Sequence, residues 1–147
     1  MLIGIPKIVS PDLLKLLMEM GHGDEIVLAD ANFPSSSICQ RVIRADGHGV
    51  IALLDAILTL MPLDTYVSKP VTLMEKVPGD NIDTPIWGEI AQVINNRSSL
   101  TQSAIDWMDR YSFYDRARKA YAVVASGELS LYANVILTKG VVKELSC

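Results

Sequence analysis

The chain has 147 residues, 50% of them hydrophobic and 20% charged, with a formal net charge of −4 at pH 7. That size and composition suit one globular domain with its own core, and they exclude a disordered chain. The acidic balance and the absence of a basic stripe argue against nucleic acid or an anionic membrane as partner.

The opening stretch, Met1 to Leu14, lacks the basic start and long apolar run of a signal peptide. The longest apolar run, Val50 to Met61, contains Asp55 and is too short to span a bilayer. The expected location is therefore the cytoplasm. Cys39 and Cys147 show no metal-ligand spacing and read as two unpaired thiols.

Ser10 followed by Pro11 reads as an N-cap and first helical residue. The helix is expected to run to about Met20, with Leu13, Leu14, Leu17 and Met18 facing the core and Gly21 as its C-terminal cap. Glu25 to Asp30 reads as a buried strand, broken by Asn32 and Pro34. Val42 to Ala45 is a weaker strand. Val50 to Met61 has helical spacing at Val50, Leu53, Leu54, Ile57 and Met61, and Pro62 stops it. Ile51, Leu58 and Leu60 make its other faces apolar as well, which predicts cover on several sides, as by another subunit.

Val71 to Val77 reads as a strand and Pro78-Gly79-Asp80 as a turn. Ile86 to Ile94 and Thr101 to Met108 read as helices joined by a polar stretch from Asn95 to Ser99. Ser112 and Asp115 form a capping box that starts a helix near Phe113 and carries it to about Ala120. Tyr121 to Ser126 and Val135 to Lys139 are strands. The pattern predicts a single α/β domain over residues 1–147, with a central sheet covered by helices on both faces.

Chemistry-bearing residues are few. His22 stands between Gly21 and Gly23 at a helix-to-strand junction. By itself it reads first as a surface turn residue, although imidazole suits proton transfer near neutral pH. Asp30 closes the first strand, the end at which open α/β sheets bind ligands, and Asn32 and Phe33 follow it. A carboxylate, an amide and a ring together suit a polyol. The stretch Arg110 to Tyr114 reads equally as helix capping plus core aromatics, and Tyr132-Ala133-Asn134 as a turn. Asp46 and His48 read as turn residues. No phosphate-binding glycine loop, zinc motif or nucleophile elbow is present, so no cofactor or metal is expected.

Five segments together resemble the fucose mutarotase family. They are Met20 to Pro34, Ile43 to Gly47, Pro62 to Tyr66, Phe113 to Ala117 and Leu131 to Asn134, in family order over nearly the whole chain. The resemblance is closest to animal-type members, with ribose pyranase as the nearest relative in the wider superfamily. It implies an α/β fold whose subunits assemble into rings, with sites near subunit boundaries. It implies interconversion of the α and β anomers of L-fucose, and in some members of pyranose and furanose ribose. By matching position, His22 resembles the proton donor and Tyr114 a catalytic tyrosine, while Asp30, Asp64, Arg110, Tyr132 and Asn134 resemble substrate-binding residues. Asn32 stands where bacterial members often carry His, and Tyr132-Ala133-Asn134 has the ribose pyranase form where fucose enzymes commonly read Tyr-Gly-Asn.

The implied reaction needs no redox step and no leaving group. The ring oxygen gains a proton, the anomeric hydroxyl loses one, and the open aldehyde turns about C1–C2 before the ring closes. Two proton-transfer groups flanking C1 suffice. The rival expectation is a non-catalytic sugar-binding accessory of monosaccharide uptake, for which the same carboxylates and rings would serve. A structural oligomer with a vestigial pocket is a third.

Overall fold

The computed structural model describes residues 1–144, so the reading of Cys147 lies outside the described residues. Among the described residues five helices and six strands follow one another, helix and strand in turn until the last two strands, which succeed each other directly. The strands are β1 (Glu25–Ala29), β2 (Val42–Ala45), β3 (Val71–Met74), β4 (Ile105–Met108), β5 (Ala122–Ser126) and β6 (Val135–Thr138). They form one sheet in the order β2-β5-β1-β6-β3-β4. The β2-β5, β5-β1 and β3-β4 pairs are parallel, while β6 runs antiparallel to both β1 and β3. Five strands therefore point one way. Their carboxyl ends, together with the start of β6, share one edge of the sheet.

The helices are α1 (Pro11–Glu19), α2 (Ser35–Ile38), α3 (Val50–Leu60), α4 (Pro85–Ser98) and α5 (Arg110–Lys119). One face of the sheet carries α1, α3 and α4, which bury Leu13, Leu17, Leu53, Ile57, Ile90 and Ile94 against Ile26, Leu28 and Leu73. The other carries α2 and α5, with Phe113, Ala117 and Cys39 against Val27, Val123 and Ile136. Each such large side chain contributes roughly 1.5–3 kcal/mol by leaving water. The two-faced cover expected from the apolar strands is what the fold has.

Ser10 caps α1 as expected, its side chain accepting the Leu13 N–H. The helix buries Leu16 rather than Met18, which is exposed, and Leu14 is half-buried. The chain leaves α1 in extended backbone at Met20, so Gly21 is not a left-handed cap. Of the two glycines flanking His22, the one with positive φ (85°) is Gly23. The apolar side of α3 that predicted a second subunit is covered largely within the chain. Leu58 is buried, Ile51 and Leu60 are half-buried, and Ile86, Ile90 and Ile94 of α4 belong to the same cluster.

Other departures are local. The polar stretch after Ile94 is the last turn of α4, closed by Ser99 in a left-handed conformation (φ 61°). The helix expected over Thr101 to Met108 is instead a 3-10 turn (Gln102–Ala104) followed by the edge strand β4, paired only with β3. Tertiary pairing overrides the helical spacing there. The N-cap of α5 is Asp109, whose carboxylate accepts the Tyr111 and Ser112 N–H groups, so the helix begins three residues before Phe113. β3 ends at Met74, and the chain then crosses the carboxyl edge of the sheet in an irregular segment before α4.

Candidate active site

The carboxyl edge of the sheet encloses a cavity of about 270 Å³. That lies just below the roughly 300–1,000 Å³ of drug-sized sites. β1 delivers Asp30, Asn32 and Phe33 to it, the start of α5 delivers Arg110 and Tyr114, and the loop before β6 delivers Leu131, Tyr132 and Asn134. Met74 at the end of β3, with Val77 and Asp80 from the segment after it, completes the wall. Five of the seven residues singled out by resemblance thus meet in one place: Asp30, Arg110, Tyr114, Tyr132 and Asn134.

Asp30 and Asn134 are both buried and hydrogen-bond each other twice. The Asp30 N–H donates to Asn134 Oδ1 at 2.8 Å, and Asn134 Nδ2 donates to Asp30 Oδ2 at 2.9 Å. The other carboxylate oxygen accepts the Asn32 N–H at 3.0 Å. Burial pushes the Asp30 carboxyl above its usual range, while the Asn32 N–H and the Asn134 amide oppose the shift. The bonds to its two oxygens fix the orientation of this carboxyl group in the cavity wall.

Elsewhere in the lining Arg110 Nε donates to Tyr114 Oη at 3.1 Å. The phenol accepts that bond and keeps its own proton to give. Phe33 meets the Tyr114 ring edge-on at a centroid distance of 5.3 Å, which helps fix its orientation. Arg110 is exposed, and its bond to Tyr114 holds its guanidinium above the usual range.

His22 and Asp64 do not join this cavity within one chain. They sit at the amino end of β1, where Asp64 N–H donates to Thr138 O and Gly23 N–H to Lys139 O. The five residues of β1, roughly 16 Å at about 3.3 Å each, separate them from Asp30. His22 Nε2 lies 3.0 Å from Asp64 Oδ1. Asp64 is 4% exposed, whereas the His22 side chain is 45% exposed. The Tyr66 N–H, then the His22 ring, hold the Asp64 carboxyl below its usual range, opposing the effect of burial. An ionised carboxylate only accepts, so Nε2 carries the proton toward Asp64 and Nδ1 is the nitrogen left to exchange one. The exposed Tyr66 ring packs beside the imidazole at 5.2 Å.

The sequence alone singled out neither the wall residue Asp80 nor Trp87, which lies behind Tyr132. Asp80 was legible only as part of a turn. Trp87, read as an ordinary helical residue, donates its Nε1–H to the Tyr132 carbonyl at 2.9 Å. Asp46 pairs with Arg44, and His48 sits in the turn expected of it. Among the described residues no group of three or more His, Cys, Asp or Glu side chains is placed to hold a metal, and no helix is long and apolar enough to cross a membrane.

Comparison with known proteins places this geometry among relatives. A family model described as the RbsD / FucU transport protein family matches residues 3–142. The human protein named fucose mutarotase is 52% identical over 144 residues, covering 94% of this chain and 92% of the human one. The crystal structure of FucU from Bifidobacterium longum is 56% identical with a TM-score of 0.93, covering 95% of this chain and 99% of its own. That of the fucose mutarotase from Streptococcus pneumoniae, solved in complex with L-fucose, is 56% identical with a TM-score of 0.92, covering 97% of this chain and 100% of its own.

Proposed function

Because the chain belongs to the RbsD / FucU transport protein family, and its cavity offers hydroxyl-binding groups beside a poised phenol, we propose that it is a mutarotase interconverting the α and β anomers of L-fucose. The observation that carries this reading is a pair of proton-transfer groups, each backed by a charged partner: Tyr114 by Arg110 and His22 by Asp64. An imidazole whose Nε2 is fixed by a buried carboxylate leaves Nδ1 free to exchange a proton, which the reaction needs and binding alone does not. The relatives named fucose mutarotase support the same sugar and reaction.

Asp30, through its carboxylate, and Tyr132 bind hydroxyls of the sugar, with Asn134 holding Asp30 in place. Met74, Val77 and Leu131 supply apolar wall for its C–H faces and methyl group. Arg110 lowers the cost of negative charge on Tyr114, so that the phenol can give a proton to one oxygen and take it back. His22 Nδ1 serves the other oxygen. Each group is worth roughly 10²–10⁴ in rate. Fixing the hydroxyls keeps the open aldehyde in place while C1–C2 turns.

His22 reaches the cavity from a second copy of the chain. It is exposed, it lies at the opposite edge of the sheet from Asp30, and exposed Tyr66 and Val67 follow Asp64 on the same surface. Copies repeated head to tail in this way close into a ring. Asp64 then acts on the sugar through His22. The buried, unpaired Cys39 thiol fits work in the cytoplasm.

Magnetisation-transfer NMR on L-fucose tests the reading. Catalytic amounts of protein should raise exchange between the two anomeric proton signals well above the buffer rate, with D-ribose as the comparison sugar. Exchange at the buffer rate for every sugar tried would leave a binding protein.

A further inference from the structure

Asp80 lies in the segment between β3 and α4 and closes one side of the cavity. Both of its carboxylate oxygens are engaged. Oδ1 accepts the Ile82 N–H at 3.3 Å, and Oδ2 accepts the Tyr132 hydroxyl at 2.6 Å. The Tyr132 hydroxyl in turn accepts the Val77 N–H at 3.2 Å. Tyr132 is itself unusual. Its φ of 59° is a left-handed conformation that a bulky side chain rarely adopts, and such residues persist where their surroundings over-determine them. Here the surroundings are Trp87 on the carbonyl and Asp80 with Val77 on the hydroxyl.

A phenol has one proton and two lone-pair directions. Asp80 has no proton to give, so the Tyr132 proton is committed to it, and Val77 takes one lone pair. What faces the cavity is a single acceptor. Tyr114 is polarised the other way, since it accepts from Arg110 and keeps its proton. The two cavity tyrosines therefore differ in the direction of their hydrogen bonds, and the difference is set by a carboxylate on one side and a guanidinium on the other.

We propose that Asp80 is a positioning residue: by holding the phenolic proton of Tyr132 it makes Tyr132 a hydrogen-bond acceptor only, and so selects a sugar that presents a hydroxyl to that point. This assignment of specificity rests on the mutarotase reading. The hydrogen-bond arrangement beneath it does not. Asp80, then burial, pushes the Tyr132 phenol above its usual range, with the Val77 N–H and the Arg110 charge opposing. Asp80 and Arg110 are the charged groups that act on it.

The test has a sugar-free arm and a kinetic arm. In the sugar-free protein with 13C-labelled tyrosines, the Tyr132 ring signal, assigned by its loss in Tyr132→Phe, should titrate at lower pH in Asp80→Ala than in the parent. In the kinetic arm Asp80→Ala should raise KM for L-fucose about tenfold while exchange at saturating sugar stays within about threefold, as loss of a ground-state hydrogen bond requires. Asp80→Asn, whose amide carbonyl accepts the same proton, should restore KM to within about threefold of the parent. Asp80→Ala combined with Tyr132→Phe should be no worse than Tyr132→Phe alone, because both remove one interaction. An unmoved titration in Asp80→Ala, additive losses in the double variant, or a fall in rate at unchanged KM would each overturn the proposal. A shifted titration in a protein that exchanges no sugar would instead sink the mutarotase reading and leave the Asp80–Tyr132 arrangement standing.

Discussion

His22→Asn is expected to lower anomer exchange of L-fucose by roughly 10²–10⁴, the range for losing one general acid–base group. The fold should survive. His22 is an exposed turn residue between two glycines, and an asparagine amide there can still donate toward Asp64. Sugar binding, measured by calorimetry, should remain within about tenfold, because the cavity's own hydroxyl-binding groups are untouched. Asp30→Asn gives the contrasting pattern. It replaces a buried acceptor whose second oxygen takes the Asn134 amide, so binding and turnover should weaken together. If His22→Asn exchanges sugar at the parent rate, His22 is a turn residue and nothing more.

Tyr114→Phe is expected to have an effect of the same order, roughly 10²–10⁴ in exchange rate. Phenylalanine keeps the ring that packs edge-on against Phe33, so the wall of the cavity should hold its shape. What it removes is the oxygen that accepts from Arg110 and the proton that this bond leaves free. Arg110 is exposed, and water can take the vacated bond, so the loss should appear in turnover and scarcely in binding. Retention of the parent rate would mean that a water, rather than the phenol, exchanges the second proton.

The sheet was legible because its strands are short apolar runs, and buried strands in a two-faced sheet need little else. Glu25–Ala29 and Val42–Ala45 sit where the sequence pattern puts them. β4 was not legible: Asp106 and the exposed Trp107 interrupt its apolar pattern, and only pairing with β3 makes it a strand. Asp109 outcompetes Ser112 as the cap of α5 because its carboxylate reaches two N–H groups, a matter of backbone direction that spacing does not reveal. Met18 is exposed because the buried stripe runs through Leu13, Leu16, Leu17 and Met20, at i, i+3, i+4 and i+7, and Met18 lies off it.

The cavity was partly legible, since Asp30 ends a strand and ligands gather at that edge of open sheets. That Arg110, Tyr114, Tyr132 and Asn134 share it with Asp30 follows from the sheet order, which brings β1, β6, β3 and β4 side by side. The pairing of His22 with Asp64 joins residues 42 apart through the end of β6, and no local pattern announces it. Asp80 and Trp87 were hidden for the same reason: their partner, Tyr132, is 52 and 45 residues away.

The proposed site takes its cavity from one copy of the chain and its imidazole from another. Co-expression of His22→Asn with Tyr114→Phe, followed by anomer exchange on the mixed assemblies, tests it directly. Each variant alone should be nearly inactive. In mixed rings about one site in four should pair an intact Tyr114 cavity with an intact His22 from its neighbour, restoring about a quarter of the parent rate. Exchange no faster than the average of the two variants would mean that each site draws both groups from one chain, and would rule out a site shared between copies.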